Sequence, residues 1–166
     1  MSNREIIQEV VDVILENDVA TGYCHNEDYL KVIVYLSDWK SCLEFQKPIT
    51  PIRWKHGEIG PEADIDLSNF IRPERLSIKQ KISDLWNNFF KLSKAKTQRL
   101  KINEEKIVEE LMVKLSEMPL SEVYRLANST FPMITTSTDD KLKLREFSNR
   151  YKHSHLKATL SFVEHG

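Results

Sequence analysis

The sequence predicts a mainly α fold: a compact multi-helix domain around a central buried helix at about 29–43, with a small β-hairpin at about 89–102. Three observations carry this expectation. Apolar residues recur at steps of three and four through most segments, the period of an amphipathic helix. The segment 29–43 is apolar around most of its circumference, as a helix with neighbours on several sides must be. The stretches 89–92 and 98–102 alternate apolar and polar residues across a polar connection, the period of paired strands.

The elements follow in order. A first helix is expected over 3–17, with Ile6, Ile7, Val10, Val11, Val13 and Ile14 inward and Ser2 or Asn3 as its cap. Gly22 lies in a connection, and Asn26 caps the central helix, whose seam is Tyr29, Val32, Leu36, Trp39 and Leu43. Pro48 and Pro51 stop it, since proline lacks an amide donor and disfavours helix before itself. Ile52-Arg53-Trp54 reads as a short extended piece, and a glycine-bearing turn, His56 to Pro61, follows. Pro61 would open a short helix over 62–70, with Ile65 and Leu67 inward. The stretch 75–88 is ambiguous and compatible with a helix through Leu76, Ile78, Ile82, Leu85 and Trp86. After the hairpin, Asn103 caps a helix over 104–117, and Pro119 breaks it. Ser121 starts another, with Val123, Leu126, Ala127 and Thr130 on one face, ended by Phe131-Pro132. A last helix is expected over 140–152, with Leu144, Phe147 and Tyr151 inward. Residues 1–152 form one domain, and 153–166 a partly ordered tail.

Composition narrows the function. The chain has 166 residues, 40% hydrophobic and 30% charged, which suits a folded globular domain and neither a membrane protein nor a disordered chain. Lys plus Arg number 24 and Asp plus Glu 25, so no broad cationic field exists to attract a phosphate backbone. Cys24 and Cys42 have no metal-ligand spacing and read as reduced thiols; with no secretory signal at the start, a cytoplasmic location is expected. The most apolar run, Val32 to Leu36, is far shorter than the roughly 20 residues a membrane span needs.

No phosphate loop, dinucleotide fingerprint, nucleophile elbow or paired-cysteine zinc site is present, so an enzyme is not expected, nor a cofactor or metal. Cys24 beside His25 does not make an activated thiol, because sequence neighbours rarely bring both side chains within hydrogen-bonding distance. His153, His155 and His165 read as part of a solvated tail. The basic group Lys91, Lys94, Lys96, Arg99 and Lys101 is the one feature suited to nucleic acid, and it lacks an interleaved aromatic platform.

The segment Trp54-Lys55-His56-Gly57-Glu58-Ile59-Gly60-Pro61 is the most informative. One reading is structural: a tight turn, with Trp54 a core ring whose indole N–H is satisfied. The other is a protein-binding lip, because aromatic and charged residues on a glycine-bearing turn suit an interface. The residues that would make the contact are Trp54, His56, Glu58, Gly60, Pro61, Glu62 and Asp64. With Asp66, the carboxylates Glu58, Glu62 and Asp64 would suit a basic partner face.

Several of these residues belong to a pattern that spans about 29–151. Lys31-Val-Ile-Val-Tyr-Leu-Ser-Asp-Trp39, Lys47-Pro-Ile-Thr50, Ile52-Arg-Trp54 and Gly60-Pro61, in that order, resemble the N-terminal signature of the Panacea, or SocA-like, antitoxin domain. Leu120-Ser-Glu-Val-Tyr-Arg-Leu-Ala-Asn-Ser-Thr-Phe-Pro132 is similar to that family's late helix, and Leu142-Lys-Leu-Arg-Glu-Phe147 to its closing helix. This sequence departs from the pattern at Glu58-Ile59, where the family often has an aromatic, and at the acidic Glu62-Ala63-Asp64. The resemblance implies an antitoxin that neutralises a cognate toxin by direct contact, in bacterial, prophage or phage genomes. One branch of the family is similar to a proteolytic adapter that delivers its toxin to a Clp-type protease. The alternatives are a phage or prophage protein of this fold that binds another host factor, and a nucleic-acid-binding regulator using the basic hairpin.

Overall fold

A computed structural model of the chain describes residues 2–18, 22–71 and 100–164, with 155–164 and His25 described by backbone only. Six α-helices are described: α1 (Asn3–Asn17), α2 (Glu27–Phe45), α3 (Ile102–Ser116), α4 (Leu120–Asn128), α5 (Phe131–Thr135) and α6 (Leu144–Glu164). Three short strands, β1 (Trp54–His56), β2 (Pro61–Ala63) and β3 (Lys141–Leu142), form one antiparallel sheet in the order β2-β1-β3. The mainly α expectation holds.

The central helix is where its sequence put it. Asn26 caps α2 by accepting from the amides of Asp28 and Tyr29. Leu30, Ile33, Val34, Tyr35 and Cys42 are completely buried. The helix packs against α1, α3, α4, α6 and β2, which accounts for its nearly unbroken apolar circumference. It ends at Gln46, whose backbone is left-handed at φ 62°, ahead of Pro48. In α1, Ser2 and Glu5 form a reciprocal capping box, with Ile7, Val10, Val11 and Ile14 inward. α1 and α2 both pack against α3; a Lys40–Glu110 ion pair ties α2 to α3, and a Lys47–Glu104 pair ties the connection after α2 to α3.

Several expectations need correction or limits. The hairpin at 89–102 lies outside the described residues except for its last three. There, Ile102 is the first residue of α3, because Glu104 turns back to accept from the Lys101 amide and starts the helix ahead of Asn103. The ambiguous stretch 75–88 also lies outside the described residues. Pro61 opens no helix: 61–63 pair with β1, and only Leu67–Phe70 coil, as a short 3-10 turn capped by Asp66. Phe131-Pro132 opens α5 instead of ending α4, with Pro132 in the first turn, where its missing amide costs nothing. Leu126, expected inward on α4, is 40% exposed.

The last helix starts later and runs further than expected. Lys141 and Leu142 extend alongside Lys55 and Trp54, so α6 begins at Leu144, and its backbone continues to Glu164 through most of the expected tail. Leu144 is buried, and Phe147 and Tyr151 are half-buried.

Candidate functional site

The sequence-predicted contact residues gather around β1 and the turn that follows it, and a buried polar cluster on α2 positions them. Asp38 is the one acid in the buried run of α2 between Tyr29 and Trp39, and it is fully buried. Its Oδ1 accepts from the Thr50 amide at 2.8 Å, and its Oδ2 accepts from the Thr50 hydroxyl at 2.5 Å and the Trp54 indole Nε1–H at 2.9 Å. Burial pushes the carboxyl up, the hydrogen bonds from Thr50 and Trp54 pull it back, and the balance lies at about 6. One turn earlier, Tyr35 packs edge-on against Trp54 with ring centroids 5.5 Å apart. The Tyr35 hydroxyl lies 2.7 Å from Thr130 Oγ1, and because that threonine donates to the Ala127 carbonyl, Tyr35 is the donor.

Tyr35, Asp38, Thr50 and Trp54 are therefore one unit. Together they fasten the connection after α2, and the start of β1, onto the central helix. Trp54 is 3% exposed, so its ring belongs to the core and is closed to a partner.

Beyond Trp54 the strand rises to the surface. Lys55 and Glu62 face each other across β1 and β2 and form an ion pair at 2.9 Å. Arg53 and Asp64 close the base of the hairpin: the Arg53 amide donates to the Asp64 carboxylate, and the Asp64 amide to the Arg53 carbonyl. The tip is closed by the Gly57 amide, which donates to the Gly60 carbonyl at 2.9 Å. His56 is half-buried, and its Nδ1–H donates to the Thr136 carbonyl at 2.7 Å. The backbone of His56 meets Asp139 and Asp140 on the β3 side. From the other flank, the Asn128 side-chain amide donates to the Ile59 carbonyl at 3.0 Å.

The turn is thus held from four directions, and what it holds out is Ile59, 83% exposed. Of the expected contact residues, Glu58 is exposed beside it, Gly60 and Glu62 are half-buried, Asp64 is exposed, and Pro61 is buried. The acidic face expected of Glu58, Glu62, Asp64 and Asp66 is mostly engaged within the fold. Glu62 pairs with Lys55, Asp64 closes the hairpin, and Asp66 caps the 3-10 turn. Sequence reasoning missed Ile59, Asn128 and Thr136. An isoleucine placed between a glutamate and a glycine in a turn is a readable signal for the first; the other two depend on contacts across 69 and 80 residues of chain.

Next to the turn lies an open cleft of about 580 Å³ between 135–143 and the first two turns of α6. Its lining mixes Lys141, Lys143 and Arg150 with Asp139, Asp140 and Glu146, so its charge favours neither sign. Arg150 stacks over the Phe147 and Phe131 rings.

The other candidates stand apart from this site. Cys24 and Cys42 are buried, and burial followed by the charge of Asp38 pushes the Cys42 thiol up to about 12. Among the described residues, no group of three His, Cys, Asp or Glu side chains could hold a metal ion. No described helix is long and apolar enough to cross a membrane. Of the basic group at 91–101, only Lys101 lies within the described residues, where it is exposed at the start of α3. Comparison with protein-family models, curated proteins and solved structures finds no match to this chain.

Proposed function

We propose that this protein is a binding module that grips another protein through the β1–β2 turn, with Ile59 as the anchor and Glu58 at its edge. The observation that supports this reading is a large aliphatic side chain, 83% exposed, on a turn hydrogen-bonded to Asn128, Thr136 and its own two glycines. A single exposed aliphatic residue is ordinary on a protein surface. One presented on an immobilised turn is better suited to binding, because the ordering cost of association has been met in folding.

The finer form of the proposal is an antitoxin that blocks a cognate toxin, and it rests on the resemblance of the 31–39, 47–54 and 120–132 segments to the Panacea pattern. In that form the shared residues build the scaffold, and the departure at Glu58-Ile59 tunes the partner. Delivery to a Clp-type protease is the variant of the same reading in which a second protein is held as well.

The test uses the product of the gene encoded beside this one. Ile59→Ala should weaken its binding by about 1.5–3 kcal/mol, the burial energy of one aliphatic side chain, or roughly 10–150-fold in Kd. The melting temperature should be unchanged, since the side chain touches little of its own protein. An unaltered Kd for Ile59→Ala and for Ile59→Asp, in folded protein, would remove the turn from the interface. Failure of the wild-type protein to bind the neighbouring product, or to relieve its toxicity, would sink the antitoxin form.

A further inference from the structure

The binding reading makes no use of Asp38, yet this carboxylate lies in an arrangement with a chemical consequence. Every described polar partner around it is a donor: the Thr50 amide and hydroxyl, the Ile49 amide, and the Trp54 indole N–H. Such a setting is complete for an ionised carboxylate, which only accepts, and wrong for a protonated one, which must donate. An amide or an indole nitrogen cannot accept in return. The Thr50 hydroxyl can, because it rotates. At present it donates to Asp38 while its oxygen receives the Ile52 amide at 3.3 Å.

We propose that Asp38 is a proton-operated latch: ionised, it grips Thr50 and Trp54 at once; protonated, it donates to the Thr50 oxygen, turns that hydroxyl round, and slackens its hold on β1. The bonds to Thr50 and Trp54 are charge-assisted in the first state and neutral in the second, where they are about half as strong. The segment they hold, 50–54, leads directly into the turn that carries Ile59, so the latch acts on the placement of that turn. Its working range lies near neutrality, because burial holds the Asp38 carboxyl at about 6.

Other ionisable groups on the elements around Asp38 are placed differently. On α2 itself, Cys42 stays a thiol across this range, and Tyr35 is pushed further up by burial. Arg145 on α6 acts on Cys42. On the sheet, Lys55 and Glu62 pair with each other, Lys141 is exposed, and His56 turns to Thr136. On α4, Glu122 and Arg125 pair with each other at the surface. His56 is an imidazole two residues from Trp54, so the experiment must separate its effect on Trp54 from that of Asp38.

The experiment is a pH titration by NMR of the full-length protein, free of any partner, following the Asp38 side-chain carboxyl carbon and the Trp54 indole N–H. The two signals should move together with one midpoint near 6. His56→Asn should leave that transition in place, and Asp38→Asn should abolish it at Trp54. A Trp54 signal that stays flat while the Asp38 carbon titrates overturns the latch, as does one that moves only when His56 is present. An Asp38 carbon with an ordinary aspartate midpoint overturns it equally. Both signals are read in the unmodified protein, so the test stands even where Asp38→Asn fails to fold. No partner enters it, so its outcome is separate from that of the binding proposal.

Discussion

Asp38 also sets a sign for the pH dependence of stability. Its carboxyl lies at about 6 in the folded protein against 3.8 for the unperturbed group. The folded state therefore holds the proton more tightly than the unfolded one. The stabilisation this gives is fully present below the unfolded value, declines as pH rises, and is gone above about 6, a change of about 3 kcal/mol. Urea titrations at about pH 4 and pH 7.5 should show the parent losing stability relative to Asp38→Asn as pH rises; parallel profiles would contradict the raised value. The neighbouring tryptophan gives a second prediction. Trp54→Phe keeps a ring against Tyr35 but takes one donor from a buried carboxylate, and should cost about 1–3 kcal/mol in denaturant titration. Trp39, 7% exposed and edge-on to Tyr151, tests packing alone: Trp39→Ala should cost about 3–5 kcal/mol, and a loss under about 1 kcal/mol would mean that α2 does not face α6 there. The latch was partly legible. A single aspartate between Ser37 and Trp39, on a helix apolar nearly all round, already announces a buried and partnered charge. That its partners are Thr50 and Trp54 could not be read, because no periodicity links a helix to the loop beyond it.

Elements differ in how openly the sequence states them. α1, α2 and α3 each repeat their apolar positions over four or five turns, and their extents were read to within two residues. The sheet was not read. Its strands are two or three residues long, too short for alternation to show, and β2 begins with a proline that equally suits the first turn of a helix. Pro61 tolerates its place because β2 is an edge strand, where an absent amide breaks no ladder. Lys141-Leu142 was absorbed into the expected last helix because two residues are too few for alternation to show beside the helical repeat of Leu144, Phe147 and Tyr151. The end of α2 supplies a prediction at this scale. Gln46 holds a left-handed backbone at φ 62°, a conformation glycine adopts without strain. Gln46→Gly should therefore raise stability by about 0.5–1 kcal/mol, less whatever its weak side-chain bond to the Cys42 carbonyl contributes. A lower melting temperature would show that the side chain matters more than the backbone strain.

Across the whole molecule, α2 is the common wall: α1, α3, α4, α6 and the sheet each pack on some part of it. A protein so arranged has no half that keeps its core when the other half leaves. Unfolding by urea should accordingly be one transition, coincident by tryptophan fluorescence and by far-ultraviolet circular dichroism; separated midpoints would mean that a subset of helices stands alone. The expected mainly α class follows from this wall, since a helix apolar on all sides demands neighbours, and helical periodicity names most of them. What the neighbours do to one another depends on pairings of distant residues, such as Tyr35 with Thr130, and lies beyond any local pattern. The pairing of Trp54 with Leu142 has a further consequence, in the order in which a ribosome delivers the chain. Leu142 leaves the exit tunnel 88 residues after Trp54, a delay of roughly 4–18 s at ordinary elongation rates of about 5–20 residues per second. Throughout that interval β1 has one unpaired edge, and Trp39 waits for the helix that will cover it. For those seconds the nascent chain exposes apolar surface and a strand edge that the finished fold conceals.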